Sequence, residues 1–206
     1  MEIITSLTRP MIQYIRRLAL LVIGGCMLAM STGSADAWAA SESPSPAAAA
    51  ASREYLIKAA FLYSFAKFTA WPIEAFSDPQ APLRLCILGE DPFGAAMESI
   101  EGKSIKNRPL AVIRIAQVAD AERCHILFVS TSEEERLRAI LDALRERPIL
   151  IISDIPNFAR AGGTINLKTV EDRIRFDINV DAANAADLRI SSKLLRLANI
   201  VSADAM

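Results

Sequence analysis

One histidine, three cysteines, two tryptophans and eight glycines in 206 residues leave little material for catalysis or metal binding. A lone His125 cannot build a His-rich metal site, and no second ligand stands at a usual spacing from it. Paired with Cys124 it makes a poor nucleophile–base couple, because successive residues on a strand point to opposite faces. No G-x-S-x-G elbow is present to frame a Ser–His–acid triad. Gly89–Gly94 has the six-residue frame of a phosphate loop but lacks the Lys-Ser/Thr that follows it in nucleotide sites. The carboxylates are scattered, with no isolated pair for general acid–base work. Positive charge is not in excess either: 23 Lys+Arg face 24 Asp+Glu. Without a basic stripe interleaved with aromatics, nucleic-acid binding has no support. These shortages point to a non-enzyme that needs no cofactor.

What the chain does have begins with an address. Arg9, Arg16 and Arg17 precede the apolar run Leu18–Met30, which is too short to span a bilayer comfortably and suits the core of a secretion signal. Small-x-small sites follow at Ala35-Asp36-Ala37 and Ala37-Trp38-Ala39, so residues 1–39 read as a signal cleaved after Ala37 or Ala39. Ile23-Gly24-Gly25-Cys26 offers a lipoprotein alternative, lipidated at Cys26, although Met27–Met30 continues the apolar run where a lipoprotein turns polar. Either route exports the chain, and the reading is periplasmic. Residues 40–52, rich in Ser, Pro and Ala, read as a linker, and 53–206 as one domain. Without residues 1–39 the chain keeps 20 basic and 22 acidic side chains.

Residues 55–72, YLIKAAFLYSFAKFTAWP, are apolar enough to suggest a membrane span. Lys58 and Lys67 argue against one: nine residues apart, they point to opposite sides of a helix. The segment reads as a helix buried on most of its circumference, capped by Ser52 and stopped at Trp71-Pro72. Strands are predicted at 83–89, 109–115, 125–130 and 149–153, with a short helix at 92–100. An amphipathic helix over 133–147 is capped by Ser132. Thr164–Val170 and Arg173–Val180 flank Glu171-Asp172 as a hairpin. Residues 182–201 read as helical, with Ser191-Ser192 capping the last segment. The sum is an α/β three-layer sandwich: a mostly parallel central sheet, a C-terminal antiparallel hairpin, and helices on both faces.

Parallel sheets keep ligand sites at the carboxyl ends of their strands. Those ends carry Glu90 and Asp91, Ser130 and Ser132, and Asp154, a candidate ligand or partner site. The plainer reading gives these residues capping and turn duties. Gly162-Gly163 reads as a tight turn. In an exported chain Cys86 and Cys124 are either bridged or two buried free thiols.

The apolar helix is followed by an ordered set of blocks: Leu85-Cys86-Ile87-Leu88-Gly89, Asp91-Pro92-Phe93-Gly94, Gly102-Lys103, Arg108-Pro109-Leu110 and Cys124–Ser130. Ser153-Asp154, Phe158, Gly162–Leu167, Arg175–Asn179 and Ile190–Ala198 complete it. In this order they resemble the YfiR/HmsC-like family of periplasmic repressors of diguanylate cyclases, over about residues 53–202. The resemblance implies a Cys86–Cys124 disulfide. It also implies that the domain binds the periplasmic part of an inner-membrane diguanylate cyclase and holds it inactive, lowering cyclic-di-GMP and biofilm formation. An outer-membrane lipoprotein that sequesters the domain, and a second copy of the chain, are further candidate partners. The alternative function is a periplasmic small-ligand carrier or sensor using the strand-end residues.

Overall fold

The computed structural model describes residues 45–203. The expected secretion signal over residues 1–39 and the lipidation alternative at Cys26 lie outside the described residues. Helix α1 (Pro46–Phe68) starts seven residues earlier than Ser52 implied. Ser45 caps it, its side chain accepting from the Ala48 N–H at 3.2 Å, and Pro46 occupies the first turn. The alanines that read as a linker are good helix formers, so residues 46–52 continue the helix instead of forming a tether.

Strands β1 (Thr69–Ala70), β2 (Leu83–Leu88), β3 (Ser104–Ile105), β4 (Arg108–Ile115) and β5 (Ile126–Val129) follow, then helix α2 (Leu137–Ala143) and strand β6 (Leu150–Ser153). The hairpin β7 (Ile165–Val170) and β8 (Arg173–Asn179) comes next. Helix α3 (Val180–Ala185), β9 (Arg189–Ile190), α4 (Ser192–Leu195) and β10 (Asn199–Val201) complete the described chain. The central sheet runs β10-β8-β7-β6-β5-β2-β4-β3. Only the β7–β8 and β3–β4 pairs are antiparallel. The α/β sandwich with a mostly parallel sheet and an antiparallel hairpin is therefore the observed fold.

Alternation along each strand divides the core. Leu85, Ile87, Ile126, Phe128, Leu150 and Ile152 pack on the α1 side. Cys86, Leu88, Leu127, Val129 and Ile151 pack on the other side against Ile140, Leu141 and Leu144 of the α2 region. Strands buried on both faces read as continuous apolar runs, which is why they were visible in the sequence. Each such buried side chain contributes roughly 2 kcal/mol relative to exposure.

Three local expectations are corrected. First, α1 is buried on one side only: Ala59, Leu62, Phe65 and Ala66 face the sheet, whereas Leu56, Ile57 and Phe68 are exposed. Phe65 meets Phe176 edge-on at 5.0 Å, fixing the buried face. Lys58 is buried and Lys67 exposed, in keeping with their opposite directions. Second, the segments at 92–100 and 133–147 form less α-helix than their patterns suggested. The former is a 3-10 turn at Gly94–Ser99, and Thr131–Arg136 is 3-10 ahead of α2. Third, residues 182–201 are not one helix. Asp187 adopts φ 54 after α3, and the chain then supplies β9 to β1 and β10 to β8. Ser191 does cap α4, accepting from the Lys193 N–H at 3.3 Å.

Candidate functional site at the strand ends

The chain runs from β2 outward to β4, then returns past β2 to β5 and onward to β6 and β7. The first crossover packs Met97 on the α1 side, and the second packs Ala121 on the opposite side. This reversal puts a topological switch point between the carboxyl ends of β2 and β5, where open α/β sheets take ligands. Glu90, Asp91, Ser130 and Ser132 meet at that point. The Glu90 N–H donates to Ser132 Oγ at 3.0 Å, across the two strand ends.

The chain's own side chains fill the crevice. Gly89 adopts φ 89, and a Cβ built there would lie 2.8 Å from Glu133 Cγ and 2.9 Å from Glu133 Oε1. Glu133 is buried and ion-paired with Arg136. The Glu133 side chain thus takes up the space beside Gly89 at the strand ends. Ser130, not Ser132, caps the following turn, accepting from the Ser132 N–H at 3.5 Å. Asp91 closes its own turn, accepting from the Phe93 N–H at 2.8 Å, and its other oxygen takes the Arg114 guanidinium at 2.7 Å.

Asp154 follows β6 and turns its carboxylate away, toward α1. Lys58 Nζ lies 2.6 Å from Asp154 Oδ2 and 2.6 Å from Glu54 Oε1. The Tyr55 hydroxyl donates to Asp154 Oδ2 at 3.0 Å, and Thr169 Oγ1 donates to Glu54 Oε1 at 2.9 Å. Hydrogen bonding to Lys58 holds the Glu54 carboxyl below its ordinary range, against the opposing effect of partial burial. Burial, reinforced by the negative Asp154, pushes the Tyr55 hydroxyl well above its ordinary value. Asp154 Oδ1 is buried without a hydrogen-bond partner among the described residues. Sequence reasoning placed Asp154 at a strand end but missed Glu54, Tyr55, Lys58 and Glu133. The available signal was Lys58 itself, since a cation inside an apolar helix face demands a buried acid.

His125 has a structural setting. Its Nδ1 accepts from the Arg84 N–H at 3.0 Å and its Nε2 lies 3.0 Å from the Ala75 carbonyl, so the proton sits on Nε2. Phe76 stacks on the ring at 4.4 Å. Burial is the main cause that lowers its pKa to about 4; Arg84 and Arg108 add to the effect, and the Ala75 hydrogen bond opposes it. Cys86 and Cys124 are bonded to each other, with Cα atoms 5.9 Å apart. The Gly162-Gly163 turn uses its two glycines differently. Gly162 adopts φ 112, whereas Gly163 makes room for the buried Phe158 ring.

A doubly wound sheet with this disulfide, this buried lysine and this closed crevice can be set beside known sequences. The YfiR/HmsC-like family profile matches residues 55–199. The chain belongs to the YfiR/HmsC-like family. Proteins of the YfiR/HmsC-like family regulate diguanylate cyclases from the periplasm. A comparison with curated proteins finds no match. Among the described residues no helix is long and apolar enough to cross a membrane.

Proposed function

We propose that this YfiR/HmsC-like protein is a non-catalytic periplasmic repressor that docks on the periplasmic part of a membrane-bound diguanylate cyclase and lowers cyclic-di-GMP. One observation carries the choice between a docking protein and a ligand carrier. The crevice between β2 and β5, which a carrier of this fold would use, is filled by Glu133 against Gly89. Binding then falls to the surface. The outward side of α1, with Leu56, Ile57 and Phe68 exposed, is the apolar face offered to a protein partner. Docking of this kind needs export, because the cyclase presents only its outer part to the periplasm.

Deleting the gene and measuring cyclic-di-GMP tests the reading. The level rises on deletion and falls again with an exported copy, whereas a copy without residues 1–39 fails to restore it. An unchanged level across several growth conditions rejects the repressor and leaves the ligand carrier.

A further inference from the structure

Four segments converge at the end of the fold where α1 stops: the last turn of α1, the turn between β3 and β4, strand β9 and helix α4. Together they line a shallow groove of about 410 Å³. Lys67, Lys106, Arg189 and Lys193 come one from each segment, and no carboxylate lines the groove. Local bonding fixes the convergence. Thr69–Ala70 pairs with Arg189–Ile190, and the Ser191 N–H donates to the Phe68 carbonyl at 2.8 Å. Lys106 and Asn107 adopt φ 51 and 68, the conformation of a tight hairpin turn, and Lys106 Nζ donates to the Thr69 carbonyl at 2.7 Å. Lys67 and Lys103 both lie over the Tyr63 ring, at 5.5 and 5.8 Å, which brings a fifth cation beside the groove. All five are exposed, and none makes an ion pair among the described residues. Like charges gathered without a counter-charge repel one another, so the cluster favours an anionic occupant.

We propose that this groove docks the domain on the anionic phospholipid surface of the inner membrane. Four of the five cations are lysines, whose flexible stems follow mobile phosphates. Recognition of a protein partner's carboxylates favours the fixed fork of arginine instead. Phe68 is 38% exposed and lines the same groove. Basic side chains around an exposed aromatic ring suit a membrane surface: phosphates take the charges and the ring enters the headgroup layer. A free phosphate gains less, because exposed flexible stems form no fixed cradle and the ring is left in water. The inference rests on the reading of an exported protein at a membrane-bound partner, and adds to it how the domain is held. With this end on the lipid, the outward side of α1 stands beside the membrane, where the periplasmic part of a membrane protein is found.

Co-sedimentation of the oxidised mature chain with vesicles, with no cyclase present, tests the proposal. Vesicles of equal parts phosphatidylcholine and phosphatidylglycerol carry the protein down, vesicles of phosphatidylcholine alone leave it in solution, and rising salt releases it. Lys67→Gln and Lys193→Gln each weaken binding about fivefold, and together about 25-fold. Arg145→Gln, which removes an exposed cation outside the groove, leaves binding unchanged. All three positions are exposed, so the variants keep the parent's unfolding midpoint. No binding to the mixed vesicles at low salt overturns the proposal, as does binding that Lys67→Gln with Lys193→Gln retains in full. Calorimetric titration with inorganic phosphate separates the two sources of the anion: saturable phosphate binding without vesicle binding makes the groove a small-anion site and the lipid assignment wrong. If vesicles are ignored and the double variant loses capture by the cyclase's periplasmic part, the groove serves an acidic protein surface and the lipid assignment is again wrong. Neither failure touches the repressor reading, which the deletion experiment decides by itself.

Discussion

Lys58 Nζ stands 2.6 Å from Asp154 Oδ2, across 96 residues of sequence and almost out of reach of water. The contact ties the amino-terminal half of α1 to the carboxyl end of β6, and Glu54 and Tyr55 complete its surroundings. Removing one member of a buried pair leaves the other charge uncompensated, at a cost of roughly 3–5 kcal/mol. Lys58→Met is therefore predicted to lower the urea midpoint severely. The double change Lys58→Met with Asp154→Leu recovers much of the loss, because no charge is left stranded. A single Lys58→Met within about 0.5 kcal/mol of the parent, the range of ordinary surface changes, would sink this account.

His125 makes stability depend on pH. Its folded pKa, about 4, lies below the ordinary 6.5, so the unfolded chain takes up the proton first. The contribution is fully present above pH 6.5 and is lost as pH falls toward 4. The whole shift corresponds to roughly 3 kcal/mol. Glu54, also lowered, adds a loss in the same direction at more acid pH. Thermal melts between pH 7 and 4 are predicted to show a steep decline in the parent and a shallower one in His125→Gln. Parallel curves for the two proteins would show that another group controls the decline.

The Cys86–Cys124 bridge spans 38 residues. Closing a loop of that length stabilises by about 4 kcal/mol on the chain-entropy estimate. Replacing both cysteines by Ala is predicted to lower the unfolding midpoint accordingly. Thiol labelling of the denatured, unreduced protein should find neither cysteine reactive, and two labelled thiols would refute the bond.

Strands were legible because burial on both faces leaves an unbroken apolar run, as in Ile126–Val129 and Leu150–Ser153. The carboxyl-terminal tail was not. Leu194, Leu195, Leu197 and Ala198 have helical spacing, yet β9 and β10 are made by pairing with Thr69–Ala70 and Asp177–Asn179, far away in sequence. Local periodicity carries no trace of such pairing. The strand-end positions of Glu90, Asp91, Ser130 and Ser132 follow from the apolar runs before them, but Glu133 lying against Gly89 depends on that glycine lacking a Cβ three strands earlier in the chain. In the sequence Lys58 argues only against a membrane span, and its acid partner Asp154, 96 residues away, is set by the fold.

The proposed export is checked at the amino terminus. Cleavage after Ala39 would leave Ala40–Ser45 ahead of α1, which begins at Pro46. The periplasmic protein is predicted to begin at Trp38 or Ala40 by mass spectrometry. A diacylated Cys26 at the amino terminus would establish the lipoprotein route instead.

The docking face can be separated from the strand-end crevice by substitution. Leu56 and Ile57 are exposed on α1, so Leu56→Glu with Ile57→Glu places charge on the outward apolar face while leaving the core intact. Each change should alter stability by no more than about 0.5 kcal/mol, since neither creates a buried charge. Cyclic-di-GMP in cells carrying this variant is predicted to rise to the level of the deletion, because a charged face cannot be desolvated against a partner. Glu90→Ala supplies the contrast: Glu90 is exposed at the crevice mouth, and repression should persist without its carboxylate. Asp154→Ala is unsuitable for this purpose, because it strands Lys58 and would lose function through unfolding. If Glu90→Ala abolishes repression while Leu56→Glu with Ile57→Glu leaves it intact, a ligand at the strand ends controls the protein, and the docking face assigned to α1 is wrong.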